Sequence, residues 1–299
     1  MKTDNAIVGV NFTKLDTTVI KYVDFLSTKI PIRTVNNLFV FTARNSFDAL
    51  QQDGGKKDGD ELLASIRQKM NETITPQYKK IKQVKNHAEA GLFVQKFYHQ
   101  FNRKETDLIV MGKEYGSHGS MNKVIIRHIP SQTLIVPEQS KRKLSNIVIA
   151  LDQTELSEKI LHKALEFCGL VSGTPTITCL HIGHMPSHAQ LAEMFGETHQ
   201  LSMSEFKKIY DAYTKDLKES FENFIKDSTK NYHGTKLNVD FVGDTRKPYH
   251  SLLSYLKTNE TDLLILGTKS HSMLDAVLLG SFAEKVISKN NTVPMLVVK

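Results

Sequence analysis

Two glycine-containing segments near the end of the sequence have residue types suited to binding phosphate. Gly267 directly follows the apolar run 263–266, and Gly280-Ser281 directly precedes a helical pattern. A glycine at a strand end lets a ligand approach the backbone, because no Cβ is in the way. The N–H groups of a helix start attract anions, and Lys269 could neutralise a phosphate as a point charge. The pattern predicts an anion site, with an ordinary turn capped by Ser281 as the alternative.

Further residues with suitable chemistry end other apolar runs of the second half. Asp152, Ile182 and Gly243 each stand where such a run ends. Open α/β sheets bind ligands outside the carboxyl ends of their strands, at the point where the strand order reverses. We therefore expect these residues to converge with Gly267 at one edge of a sheet.

The elements that must position these residues recur along the chain. Apolar runs that end in Asn or Asp occur at 6–11 and at 146–152, and each precedes a helical pattern. The run 107–112 has the same order of residue types as the run 262–267. Strands that alternate with helices are typical of a parallel α/β sheet. The sequence therefore predicts a tandem duplication.

The two copies define the predicted domains. A length of 299 residues agrees with two domains of ordinary size. The polar segment 139–143 is typical of a linker, so the domains are predicted at 1–140 and 144–299. Each is expected to be a five-stranded parallel sheet flanked by helices.

Hydrophobic periodicity predicts the individual elements. Strands are predicted at 6–10, 37–42, 80–85, 107–111, 146–151, 176–182, 236–242, 263–266 and 293–298. Helices are predicted at 17–26, 61–73, 90–101, 157–170, 190–231 and 248–257, with a loop at 45–60. A stripe in the segment 190–231 has helical spacing and is predicted to face the core: Phe206, Tyr210, Tyr213, Leu217, Phe221 and Phe224.

The glycine segments resemble the nucleotide-binding segment of the universal stress protein family. ATP-binding members of that family have Gly-x-x-Gly, nine residues, and then Gly-Ser or Gly-Thr. Gly267 matches the first glycine and Gly280-Ser281 matches the final pair, whereas position 270 is Ser270. The resemblance covers essentially the whole chain, once per half. It implies two adenine-nucleotide alpha-hydrolase-like (Rossmann-like) domains and a role in the stress response. Because single-domain subunits of the family pair through their last strands, it also implies that the halves pack about a pseudo-two-fold axis that brings Leu134 and Leu296 together.

The resemblance also implies a set of nucleotide-contacting residues. In the family, an Asp at the end of the first strand contacts the adenosine, and Asp152 matches it. A carboxylate can accept hydrogen bonds from ribose hydroxyls, and capping of the following helix is the equally weighted alternative. The implied site residues are Ala150, Leu151, Asp152, Ile182, Gly243, Leu266, Gly267, Lys269, Ser270, Gly280, Ser281 and Phe282.

The first half departs from the family pattern. Asn11 stands where the second half has Asp152. After Gly112 we predict a shorter loop, with no Gly-Ser before a helix at Val124, and Glu114 in that loop would repel phosphate. We therefore expect a degenerate motif that binds no ATP in the family's manner.

Composition excludes several other classes of function. No apolar run of about 18 residues exists and no signal-peptide pattern opens the sequence, so we expect a cytoplasmic protein with no membrane partner. Most of the net charge of +7 comes from residues 1–140. The basic residues there are spread along the sequence, with no aromatic residues between them. A solvated surface explains it better than nucleic-acid binding. Neither a Walker motif nor a Gly-x-Ser-x-Gly elbow is present.

Three histidines of the second half are close enough in sequence to be considered as metal ligands. His181, His184 and His188 could ligate zinc together with Cys179, but they lie just past a strand and no acidic ligand has tight spacing. We predict no metal site. The two cysteines, Cys168 and Cys179, form no disulfide framework.

These observations lead to one functional prediction and two alternatives. The chain is predicted to be a regulatory, non-catalytic binder of ATP or a related adenine nucleotide, with or without Mg²⁺, at the second half. A scaffold that binds no nucleotide and mediates protein contacts is the first alternative, and a slow ATPase is the second. The expected partners are an adenine nucleotide and other proteins. Pairing is expected either as a homodimer or between the two halves of a monomer.

Overall fold

Ten strands form one sheet in the computed structural model, which describes residues 1–42, 56–103, 106–195, 201–268 and 279–299. Most strands are apolar and buried, as expected for a sheet covered on both faces. They are β1 (Asn5–Gly9), β2 (Thr34–Phe41), β3 (Gln83–Ala90), β4 (Leu108–Lys113), β5 (Gln132–Pro137), β6 (Asn146–Leu151), β7 (Thr176–His184), β8 (Leu237–Asp244), β9 (Leu263–Gly267) and β10 (Met295–Val298).

Helices connect most of the strands. Over the described residues they are α1 (Lys14–Leu26), α2 (Lys56–Thr73), α3 (Phe93–Arg103), α4 (Ser120–His128), α5 (Glu155–Leu170), α6 (His188–Phe195), α7 (Met203–Ser228), α8 (Pro248–Thr258) and α9 (Ser281–Lys289). A single 3₁₀ turn spans Thr75–Gln77. None of the helices in the described part of the chain is long and apolar enough to cross a membrane.

The strand order is β3-β2-β1-β4-β5-β10-β9-β6-β7-β8. Within each half the strands pair in parallel, and the two halves meet where β5 pairs antiparallel with β10. Leu134 lies directly opposite Leu296 in that ladder, which confirms the predicted contact between the last strands. The mixed α/β class is confirmed, and the two five-strand sets join into one continuous sheet.

Side chains of the seam strands alternate between the two faces of the sheet. Leu134 and Leu296 belong to a buried cluster that runs under both halves and includes residues of α1 and α5. Ile135 and Met295 point into a second cluster with residues of α4 and α9. The seam is therefore part of a shared hydrophobic core on both faces, rather than a solvated boundary between separate bodies.

Some predicted boundaries in the first half are wrong. The third strand was predicted at 80–85, but β3 begins at Gln83 and ends at Ala90. Ala90 had been predicted as the first residue of the next helix. β3 is an edge strand, and its polar residues, such as Lys85 and Glu89, weaken the period-two signal. Of the predicted loop at 45–60, positions 45–55 lie outside the described residues, and the remainder is helical in α2.

The long helical segment of the second half also differs from the prediction. It forms two helices, α6 and α7, rather than one run over 190–231. The predicted core stripe is only partly buried: Phe221 is fully buried, whereas Tyr213 is 44% exposed. Helix α7 has 26 residues and is about 39 Å long, which exceeds the length of the strands that it covers, so its first turns extend past the core.

Candidate functional site

A cavity of about 250 Å³ opens at the carboxyl ends of β6, β7 and β9. The chain leaves β6 for β7 and β8 on one side and returns to β9 on the other side, so the strand order reverses at this point. The starts of α5, α8 and α9 complete the wall. Most of the predicted site residues line the cavity: Ala150, Leu151, Asp152, Ile182, Leu266, Gly267, Gly280, Ser281 and Phe282.

Three predicted site residues remain to be placed. Lys269 and Ser270 lie outside the described residues. Gly243 was predicted at the site but is elsewhere, because β7 separates β8 from the cavity. The Gly243 carbonyl oxygen accepts a hydrogen bond from the Tyr210 hydroxyl at 3.0 Å. Gly243 therefore joins β8 to helix α7.

Asp152 has a defined orientation at the end of β6. Its Oδ1 atom accepts hydrogen bonds from the Ser157 hydroxyl at 2.6 Å and from the Thr154 hydroxyl at 2.8 Å. Both donors belong to the first turn of α5 or to its N-cap. The carboxylate therefore supports the start of α5, which was one of its two predicted roles, and it also lines the cavity.

The start of α9 forms the opposite wall of the cavity. Ser281 was predicted as the N-cap, but the cap is Gly280, with extended backbone angles of φ −62° and ψ 151°, and no side chain bonds to it. The first N–H groups of a helix have no partner within the helix, and they carry the positive end of its dipole. This end of the cavity is therefore suited to an anion.

Sequence reasoning missed Thr268, which lines the cavity directly after β9. It is 5% exposed, and its hydroxyl has no hydrogen-bond partner among the described residues. A buried hydroxyl without a partner carries a free-energy cost, which a polar ligand atom could remove. The sequence did contain a signal for Thr268, because it directly follows Gly267 in the segment that was predicted to bind phosphate.

The reason for glycine at position 267 differs from the prediction. A Cβ at Gly267 would lie 2.0 Å from Cδ1 of Ile160, which belongs to α5. In the first half, a Cβ at Gly112 would lie 2.6 Å from Cδ2 of Leu15 on α1. Both glycines therefore permit close packing of a helix on the strand end, a role that was not predicted; the predicted approach of a ligand to Gly267 stays a prediction, and Gly267 lines the cavity.

The first half has the same elements, and buried side chains pack closely at the end of its first strand. A Cβ at Gly9 would lie 2.7 Å from Sδ of Met111 and 3.1 Å from Cζ of Phe97, and both of these residues are buried. The predicted absence of Gly-Ser before the last helix is wrong, because Gly119-Ser120 begins α4. The helix had been predicted to begin at Val124 because residues 120–123 are mostly polar.

The histidines and cysteines near β7 have structural partners. Nδ1 of His181 lies 2.8 Å from the Leu151 carbonyl oxygen, and Nε2 of His188 lies 2.7 Å from the Leu201 carbonyl oxygen. Among the described residues, no three His, Cys, Asp or Glu side chains are grouped so that they could hold a metal ion. Burial raises the pKa of the Cys168 and Cys179 thiols to about 12, so both are protonated and unreactive at neutral pH.

Comparison with known proteins identifies similar sequences and folds. The model of the universal stress protein family matches residues 143–299, which is more than half of the chain. Universal stress protein MJ0531 of Methanocaldococcus jannaschii is 35% identical over 66 residues, a match that spans 22% of this chain and only 37% of that relative's length.

Two solved structures share the fold over nearly the whole chain. A universal stress protein from Archaeoglobus fulgidus DSM 4304 has a TM-score of 0.63 at 14% identity, and the match covers 100% of this chain and 99% of that one. A putative universal stress protein from Pseudomonas aeruginosa UCBPP-PA14 has a TM-score of 0.60 at 13% identity and covers 99% of this chain and 93% of that one.

Proposed function

The chain belongs to the universal stress protein family, and we propose that its second half binds ATP or a related adenine nucleotide. The proposal rests on one cavity with two polar walls. The Asp152 carboxylate lies on one wall, at the end of β6, and the helix N-terminus at Gly280-Ser281 forms the opposite wall. Thr268 adds a buried hydroxyl without a partner among the described residues.

The chemistry of the cavity suggests how the nucleotide is oriented. Leu180 and Ile182 give an apolar wall for the base, and Asp152 can accept hydrogen bonds from ribose hydroxyls. The N–H groups at the start of α9 attract the phosphates. A volume of about 250 Å³ is just below the roughly 300 Å³ at which sites for whole drug-sized ligands begin. The nucleoside would therefore occupy the cavity, and the phosphates would extend along α9.

The proposal includes two domains, at 1–140 and 144–299, that arose by tandem duplication. Their strand orders are equivalent when each is counted from its own first strand. Phe12 and Gln153 follow the first strand of each half, and both have an unusual positive φ, 57° and 59°. The first domain is proposed to bind no ATP, because Phe97 and Met111 pack closely at the end of its first strand.

Regulatory binding rather than catalysis is the proposed activity. Among the described residues that line the cavity, Asp152 is the only carboxylate, and it accepts hydrogen bonds from the α5 residues Thr154 and Ser157. A general base must reach the water that it activates. Because the Asp152 carboxylate already accepts these two hydrogen bonds, it is better suited to holding a hydroxyl group of the ligand. Stress-dependent contacts with other proteins would then depend on nucleotide occupancy.

Calorimetric titration with ATP tests the proposal. The parent chain is expected to bind, and Gly280→Val is expected to abolish binding, because the side chain would intrude where the N–H groups meet the phosphates. The backbone angles of Gly280 are open to any residue, so the fold should survive. Ser120→Val at the start of α4 is the matched control and should bind like the parent. Equal affinity of Gly280→Val and the parent would refute the assigned site.

A further inference from the structure

A lysine of the first half contacts the far end of the helix that begins at the cavity. Lys113 is 2% exposed, and its Nζ donates to the Asn290 carbonyl oxygen at 2.9 Å and to Oδ1 of Asn291 at 2.5 Å. Asn290 is the C-cap of α9. A cation at this end of a helix compensates the partial negative charge of the terminal carbonyl groups.

Helix α9 therefore connects the cavity to the first half directly. Its N-terminal residues Gly280 and Ser281 line the cavity, and its nine residues span about 13 Å. Because a helix this short moves as a unit, holding its C-terminal end also fixes where its first N–H groups point. The hydrogen bonds of Lys113 hold that end.

Two more contacts attach α9 to α4 along its side. Glu284 forms an ion pair with Arg127, and the Ser288 hydroxyl accepts a hydrogen bond from Nζ of Lys123 at 3.0 Å. These side chains are partly exposed, and exposed ion pairs contribute little. Lys113 is the buried member of the set, so its loss should have the largest effect on the position of α9.

Lys113 has a counterpart in the second half. It follows Gly112 as the last residue of β4, and Thr268 follows Gly267 directly after β9. The first half thus has an inter-half contact at the position where the second half has the buried hydroxyl of its cavity.

We infer that Lys113 is a positioning residue through which the first half sets the affinity of the second half's cavity for the phosphates of its ligand. The inference rests on the proposed nucleotide binding. It gives the first half a part in the function of the second.

The chain contains a matched control for this lysine. Nζ of Lys299, which follows β10 in the second half, donates to the carbonyl oxygens of Ile126 and Ile129 at the end of α4. Lys299 therefore makes the reciprocal contact, to the terminal helix of the first half. Removing its ammonium group should disturb the seam in a similar way while every hydrogen bond to α9 is kept.

The test compares Lys113→Met with Lys299→Met by calorimetric titration of both ATP and adenosine. Lys113→Met is expected to weaken ATP binding about five- to tenfold, within the range of coupled sites, with adenosine affinity within about twofold of the parent. Lys299→Met should leave both affinities unchanged. A merely structural role of Lys113 would lower both affinities together, because a loosened fold does not distinguish the phosphates from the nucleoside.

Backbone hydrogen exchange gives a readout that needs no ligand. Amides of α9 should exchange faster in Lys113→Met than in the parent, and amides of α4 faster in Lys299→Met. Unchanged ATP affinity in Lys113→Met, with a parent that binds ATP, would overturn the inference and leave the proposed function intact. A parent that binds no ATP would overturn both, and the exchange data would then show only whether Lys113 holds the helix.

Discussion

The Nζ atom of Lys113 lies 2.9 Å from the carbonyl oxygen of Asn290, although the two residues are 177 positions apart in the chain. Burial, together with the smaller effect of the nearby charge of Lys123, lowers the pKa of this ammonium group to about 8. The contact therefore joins the two halves at a group that titrates near physiological pH.

This lowered pKa predicts a pH-dependent stability. Between about pH 8 and the ordinary lysine value of 10.5, the unfolded chain binds more protons than the folded chain, so stability rises with pH through this window. Lys113→Met removes the group, and its stability should rise less, by about 1–2 kcal/mol after allowance for solvent screening. Urea unfolding at pH 7.5 and 9.5 measures the difference, and equal gains in both proteins would contradict it.

Replacing Thr268 with valine separates ligand binding from stability. Valine has nearly the same shape but lacks the buried hydroxyl, which has no partner among the described residues. The apo protein should be unchanged or about 1 kcal/mol more stable, because the cost of the unpaired group is removed. ATP affinity should fall about five- to tenfold, as expected for the loss of one hydrogen bond of about 1–1.5 kcal/mol. Thermal unfolding and calorimetry give the two quantities, and unchanged affinity would show that the hydroxyl contacts no ligand.

Gly267→Ala tests the packing role of this glycine. The added Cβ would lie 2.0 Å from Cδ1 of Ile160, and such overpacking costs about 1–3 kcal/mol. Gly169→Ala is the matched control, because a Cβ at this position in α5 meets nothing within 4 Å and should stabilise the helix by up to about 1 kcal/mol. Urea unfolding compares the two variants. Adding Ile160→Ala to Gly267→Ala should relieve the clash, and a failure of this relief would mean that the strain lies elsewhere.

The sequence predicted only part of the arrangement of charged groups at the end of the first strand of each half. Asn11 and Asp152 were predicted to be counterparts, but the hydrogen-bond partner of each was not predicted. In the first half, the Asp16 carboxylate accepts hydrogen bonds from the backbone N–H groups of Asn11 and Thr13. In the second half, the Ser157 hydroxyl has the place of Asp16, and Asp152 supplies the carboxylate from the strand end. The carboxylate is thus on the helix in the first half and at the strand end in the second half. Only the tertiary structure shows which of the two positions faces a cavity.

Local periodicity by itself determined the class of the fold and the place of the candidate site. Apolar runs in buried parallel strands are continuous, so their ends could be located, and parallel strands bring those ends to one edge of the sheet. Asp152, Ile182 and Gly267 were therefore predicted together without any knowledge of contacts. The internal repeat, together with the family resemblance, predicted that Leu134 and Leu296 would be adjacent.

The tertiary structure alone decided how side chains pack at the strand ends of each half and which side chains make contacts across the seam. Met111 and Phe97 fill the space at Gly9, and Ile160 packs on Gly267, because side chains from different elements compete for the same volume. No sequence window contains both competitors. The same reason hides Lys113, whose partner lies in the other half, since the sequence specifies a donor but the fold determines which carbonyl group it reaches.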